Sequence, residues 1–239
     1  MKGFLKVVRD AMFPADFTCD ICGRETYGTN ICDGCAKTLI YNDKEMCPVC
    51  GRRTVRSEFC IECKDKPPTY EMAASAFVYE GGAAYLIKKF KGGAGYLKDY
   101  LADKICKAIK GFPEYDCTVC VPMTLRAKLR RGFNQSELLA KAVSERVGKP
   151  YIKGAVVKRK DTGEQKALTR KERSKNLAGC FRVVKRDEVK AKRVLVVDDI
   201  LTTGATADEM AKVLLRAGAK AVYLATVASV EYKIKSREK

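Results

Sequence analysis

Val194-Leu195-Val196-Val197-Asp198-Asp199-Ile200-Leu201-Thr202-Thr203-Gly204-Ala205-Thr206 is the stretch that decides how this chain is read. Its four leading apolar residues, three of them β-branched, describe a strand buried on both faces, as in the interior of a parallel sheet. Two acids end the run, a short Thr/Gly loop follows, and a helix over 205–217 begins, closed by Gly218. Ligands of open α/β sheets bind at the carboxyl ends of strands. Backbone N–H groups from Thr202 through Ala205 to Thr206, together with the helix N-terminus, make a cradle for a phosphate. Gly204 lets the backbone approach closely, and Thr202, Thr203 and Thr206 add hydroxyl donors. Carboxylates are poor partners for phosphate but good acceptors from vicinal hydroxyls. Asp198 and Asp199 beside the cradle therefore suit a ribose carrying a 5-phosphate. An acid pair at a strand end can instead hold Mg²⁺, and an acid-rich turn can arise by chance, but neither accounts for the Thr-Thr-Gly-x-Thr run.

Outward from this stretch, apolar runs alternate with helical periodicity. Strands are expected at 76–79, 117–121, 155–158 and 221–227. Helices are expected at 83–91, at 95–110 beyond Gly92-Gly93, and at 134–147, where Asn134 can cap. The alternation predicts an α/β domain built on a mainly parallel sheet covered on both faces. Residues 159–180 are polar, basic and weakly periodic. Pro67-Pro68 forms a stiff boundary, dividing the chain into a small unit, 1–66, and an α/β domain, 67–239. The small unit opens with a short amphipathic helix over 3–13, stopped by Pro14.

The rest of the small unit is an internal repeat with a period of 28: Cys19-Asp20-Ile21-Cys22-Gly23-Arg24 returns as Cys47-Pro48-Val49-Cys50-Gly51-Arg52, and the pair Cys32, Cys35 returns as Cys60, Cys63. Each unit reads C-x₂-C-x₉-C-x₂-C. The two-residue gap turns both thiolates of a pair toward one ion, and glycine after the second cysteine accepts the positive φ of a tight knuckle. Two structural Zn²⁺ sites follow, with every ligand position filled and none left for water. The spacing leaves open whether each repeat closes its own site or the two are cross-braced. Cys117 and Cys120 also have the C-x₂-C spacing, but on a strand an odd offset sends them to opposite faces, as packed thiols rather than ligands.

The 239 residues include 12 cysteines, no histidine and 47 basic against 29 acidic side chains, a formal charge of +18. The absence of histidine excludes imidazole acid–base chemistry and imidazole metal ligands. Eight thiolates around two Zn²⁺ would lower the charge to about +14. That surface attracts polyanions, either nucleic acid or a phosphorylated metabolite. No run of apolar residues is long enough for a membrane span. The first ten residues lack a continuous apolar core and a small-residue cleavage site, so no signal peptide is expected and the cytoplasm is the default location.

At residues 194–206 the chain resembles the signature of type I phosphoribosyltransferases that binds 5-phosphoribosyl-1-pyrophosphate (PRPP). Other stretches narrow the likeness to the ComF family of competence-associated proteins. These are Val121-Pro122-Met123, Arg126 through Arg130-Arg131-Gly132-Phe133-Asn134-Gln135, Leu138-Leu139-Ala140 and Leu86-Ile87-Lys88-Lys89-Phe90-Lys91. Scattered matches at Arg159, Thr162, Gln165, Leu168, Arg173, Asn176 and Phe181, and the cysteine module in front, agree. The resemblance implies a phosphoribosyltransferase-like sheet behind a double zinc ribbon. It implies that Asp198 and Asp199 hold the ribose and that residues 202–206 hold the 5-phosphate. Pro122 and Met123 would approach the pyrophosphate, through a strained peptide, with Mg²⁺ accompanying PRPP. It further implies a mobile loop at 159–176, whose Arg159 and Lys160, with Arg131, are the candidates for stabilising the departing charge. It implies a role with single-stranded DNA and competence or DNA-uptake proteins, in which Arg24, Arg52, Arg53 and Arg56 could meet phosphates. Two readings stay open: transfer of the phosphoribosyl group to an acceptor, or non-catalytic sensing of PRPP or a nucleotide by a DNA-binding adaptor. Purine-salvage enzymes often carry an acid three residues beyond the second acid of the pair; Thr202 stands there, and no acceptor can be named.

Overall fold

The computed structural model describes residues 18–231 apart from 27, 55, 57 and 161–175. The helix expected over 3–13, residues 232–239 and most of the loop expected at 159–176, including Thr162, Gln165, Leu168 and Arg173, lie outside the described residues. Two one-turn helices, α1 (Asp33–Lys37) and α2 (Ile61–Asp65), belong to the cysteine repeats. There follow β1 (Met72–Val78), α3 (Gly81–Lys91), α4 (Lys98–Ala108), β2 (Cys117–Cys120), α5 (Leu125–Arg131) and α6 (Gln135–Val147). The chain continues through β3 (Val156–Lys158), β4 (Phe181–Val183), α7 (Arg186–Val189), β5 (Arg193–Leu201), α8 (Ala205–Arg216) and β6 (Ala221–Ser229).

Four strands form a wholly parallel sheet in the order β1-β6-β5-β2, and β3 pairs with β4 in a separate antiparallel ribbon. The central strands are apolar on both sides because both sides are covered. Leu195, Val197 and Ala225 face a core shared with α3, α4 and α6, while Val194, Val196 and Leu224 face one shared with α8 and the small ribbon. Cys117 falls in the second core and Cys120 against the first, the opposite-face placement expected of an odd offset.

Two features differ from expectation. β5 continues through the acid pair to Leu201, because β6 runs on beside it, pairing Ile200 with Ala228 and Leu201 with Ser229. The stretch Leu125–Arg131, to which the sequence pattern assigns no element, is a helix. Thr124 caps it by accepting from the Ala127 N–H at 3.3 Å, and Gly132 ends it at φ 85°.

The cysteine repeats are integral to this architecture. Cys19, Ile31 and Leu39 of the first join one core, and Cys47, Cys50, Cys60 and Cys63 of the second join the other. The repeats thus clasp the β1 margin of the sheet, one on each face. Between them the chain runs along β1 itself. The Val78 N–H donates to the Ile40 carbonyl at 2.9 Å, the Asn42 N–H to Ala76 at 3.0 Å and the Ala73 N–H to Val49 at 2.7 Å. An edge strand is thereby supplied with partners instead of being left as a template for foreign chains.

Candidate functional site

Each repeat closes its own metal site. The sulfurs of Cys19, Cys22, Cys32 and Cys35 lie within 4.8 Å of one another, and so do those of Cys47, Cys50, Cys60 and Cys63. The Cys22–Cys32 and Cys50–Cys60 sulfurs are 3.8 and 3.6 Å apart. Zn–S bonds of about 2.3 Å in a tetrahedron hold sulfurs about 3.8 Å apart, so both donor sets fit Zn²⁺. Gly23 and Gly51 follow the second cysteine with φ of 73° and 62°, the knuckle conformation expected of them.

At the carboxyl end of β5 the chain turns through Thr202–Gly204 into α8. Gly204, at φ 78°, is its N-cap, with no side-chain cap. Ala205 N–H reaches the Thr203 hydroxyl at 3.4 Å. The N–H groups of Thr203, Gly204 and Thr206 find no acceptor among the described residues. Such free donors at the start of a twelve-residue helix form a cradle for an anion.

The acid pair stands just before it. The Ser136 hydroxyl donates to Asp198 at 2.7 Å and the Asp199 N–H donates to the same oxygen at 2.9 Å. Asn134 caps α6, accepting from the Ser136 N–H at 3.1 Å, and its amide donates to the Val121 carbonyl at 3.0 Å. One side chain thus fixes both Ser136 and the turn after β2. Asp199 pairs with Lys91, from the end of α3, at 2.9 Å. Burial, and then the negative charge of Asp199, push the Asp198 carboxyl up to about 7, against the opposing Ser136 hydrogen bond.

The remaining expected residues are placed less closely. Pro122 and Met123 are partly exposed after Val121. None of the described peptide bonds is cis, and residues 121–123 keep negative φ. Arg131 donates to Gln135 at 2.9 Å. Arg159, whose N–H reaches the Cys180 carbonyl at 2.7 Å, and Lys160 have exposed side chains. None of these three is joined to the acid pair by a described contact. Arg52, expected to meet phosphates, is 4% exposed and turned inward. Its guanidinium donates to Glu62 and to the Thr202 carbonyl, so that the second repeat touches the loop between β5 and α8. Sequence pattern assigns none of these roles to Lys91, Ser136 or Arg52; each contact spans from 62 to 150 residues, a distance that local pattern does not encode.

The comparisons with known proteins agree with this geometry. Residues 131–239 match the phosphoribosyl transferase domain and residues 8–64 the double zinc ribbon domain. The DNA utilization protein YhgH of Escherichia coli K12 is 33% identical over 167 residues, covering 67% of this chain and 73% of that protein. Competence protein F of Haemophilus influenzae is 29% identical over 168 residues, with the same shares. The chain belongs to the ComF family. A further member, competence protein ComFC of Bacillus subtilis, is 27% identical over 131 residues, 54% of this chain and 51% of its own.

Solved structures similar to this ComF chain include the PRPP amidotransferase of B. subtilis complexed with ADP and GMP. It is 21% identical, with a TM-score of 0.39, and the likeness covers 54% of this chain and 26% of that one. Another is the adenine phosphoribosyltransferase of Thermoanaerobacter pseudethanolicus, 20% identical with a TM-score of 0.35, covering 55% and 68%. No helix among the described residues is long and apolar enough to cross a membrane.

Proposed function

We propose that this chain binds PRPP at the carboxyl end of β5 and serves in the handling of incoming single-stranded DNA during natural transformation. The observation that carries the first part is the row of acceptor-less N–H groups at Thr203, Gly204 and Thr206 directly after the Asp198–Asp199 pair. The amides hold the 5-phosphate and the carboxylates hold the ribose hydroxyls. The turn at Pro122 and Met123, tied to Ser136 through Asn134, faces the pyrophosphate. The acid pair suits Mg²⁺, which when bound would neutralise pyrophosphate charge.

In a transfer reaction an acceptor attacks C1 of the ribose as pyrophosphate leaves, through a cation-like state. The chain's part is positioning and charge: Asp198 and Asp199 orient the ring, and the cradle fixes its far end. Thr202 replaces the acid of purine-salvage enzymes, so hypoxanthine and guanine are not proposed as acceptors. Binding is tested by calorimetry with PRPP and Mg²⁺. Asp198→Asn with Asp199→Asn should weaken binding by about tenfold or more, the loss of one or two charge-assisted hydrogen bonds. Undiminished binding would sink the assignment.

The second reading, a PRPP-sensing adaptor that holds DNA, draws on α5. Arg126 and Arg130 are exposed there beside Leu125 and Leu129, which are 73% and 76% exposed. Pyrophosphate release from PRPP in the presence of DNA or nucleobases separates the two. Release supports transfer. DNA retention without release, falling steeply with salt, supports the adaptor.

A further inference from the structure

We propose that Arg52 is a positioning residue through which the second four-cysteine site sets the geometry of the phosphate loop, so that zinc held there and a phosphoribosyl ligand bind with positive coupling. The proposal rests on the phosphoribosyl reading above and concerns how that site is regulated.

Arg52 is fastened at both ends. Its main chain lies inside the second repeat, where its carbonyl accepts from the Cys47 N–H at 2.8 Å. Its side chain forks, one nitrogen to Glu62 and the other to the Thr202 carbonyl. Glu62 lies on α2 between the ligands Cys60 and Cys63. Every anchor of this guanidinium except the loop itself therefore belongs to the metal-binding repeat.

The consequence for the loop follows from peptide geometry. In a trans peptide the carbonyl and the following N–H point in opposite directions. Holding the Thr202 carbonyl against the repeat therefore sets the direction of the Thr203 N–H, one of the acceptor-less donors. The same guanidinium lies 3.6 Å from where a Cβ on Gly204 would stand, so it braces the next residue as well. A cavity of about 550 Å³ bounded by Arg52, Tyr70, Pro67, Gly204 and Asp208 adjoins this bridge, and across it the Thr69 N–H also donates to Asp208 at 2.7 Å. Planarity and two parallel donors suit arginine to this double attachment, and methionine cannot replace it.

Coupling of two sites is reciprocal: if zinc orders the cradle, a ligand in the cradle must slow the departure of that zinc. The first repeat supplies an internal control. It docks elsewhere, through Asp20, which accepts from Lys89 at 2.7 Å and Tyr96 at 2.6 Å. The experiment uses the full-length, zinc-loaded chain. Zinc release to a colorimetric chelator is followed with and without saturating ribose 5-phosphate, whose binding is measured separately by calorimetry. One of the two zinc equivalents should leave about fivefold or more slowly with ligand, and the other at an unchanged rate. In Arg52→Met, both equivalents should still load, ribose 5-phosphate should bind about fivefold or more weakly, and the protection should vanish. Ligand binding without any change in zinc release in the unaltered chain would overturn the proposal, whatever the variant does. So would an Arg52→Met chain that keeps full affinity and full protection. Failure of ribose 5-phosphate to bind at all would remove the phosphoribosyl reading itself, a result calorimetry distinguishes from failure of the coupling.

Discussion

Asp198 gives the unliganded chain one contribution to its pH response. Its carboxyl titrates at about 7 in the fold, against about 3.9 in an unfolded chain. Between those values the folded state holds the extra proton, so this residue's contribution to stability falls as pH rises from about 4 to about 7, and levels off above. Asp198→Asn should remove that fall. Without ligand its thermal midpoint at about pH 8 should exceed that of the unaltered chain by about 2 °C or more, and the two should converge at about pH 4. Thermal unfolding across this range checks it, and the same variant should lose ribose binding. At Gly204 the backbone itself is the constraint: φ is 78°, and Gly204→Ala places an L side chain in the left-handed region at a cost of roughly 1–2 kcal/mol. Chemical denaturation should register that cost, and calorimetry a weaker ribose 5-phosphate.

The two metal-binding repeats look alike in sequence and differ in what they touch. Gly23 and Gly51 occupy the same knuckle position and share the same backbone conformation. A methyl group on Gly23 meets nothing within 4 Å, whereas one on Gly51 collides with the Ala73 carbonyl of β1. Gly23→Ala should therefore cost little beyond the backbone strain, while Gly51→Ala should separate the second repeat from the sheet. Urea midpoints and sensitivity to limited proteolysis near β1 would show the difference. This contrast marks how far sequence reading reaches. Spacing in the repeat is enough to foresee all eight cysteine ligands and both glycine conformations, because these are local. It leaves the pairing of repeats to sites open, and says nothing of Ala73, since the fit of a knuckle against a strand is a property of surfaces meeting. The buried run before Asp198 and the Thr/Gly loop likewise announce a parallel sheet with a cradle at its end. Lys91 and Ser136, which complete that site, come from helices whose periodicity reports only their apolar faces. The α5 helix escapes a sequence reading because seven residues with four cations resemble a turn until Thr124 and Gly132 are seen capping both ends.

At the scale of the molecule, metal and sheet support each other. Stripping zinc with a strong chelator should release the segment from Ile40 to Val49 from β1 and expose its backbone groups, together with apolar surface from both cores. Light scattering should then rise, and restoring zinc before aggregation proceeds should reverse the loss of thermal stability. An apo chain that stays monomeric with an unaltered midpoint would count against this.

The hydrogen bonds between β1 and the bridge joining the cysteine repeats also bear on where the polypeptide can be cut. Pro67-Pro68 looks like a natural place to trim it. Yet a fragment starting there would carry its outermost strand bare along one side, with greasy patches above and below. Such a half would be expected to clump or to swap partners. Calorimetry of the intact protein should correspondingly trace one heat-absorption peak, front and back melting together.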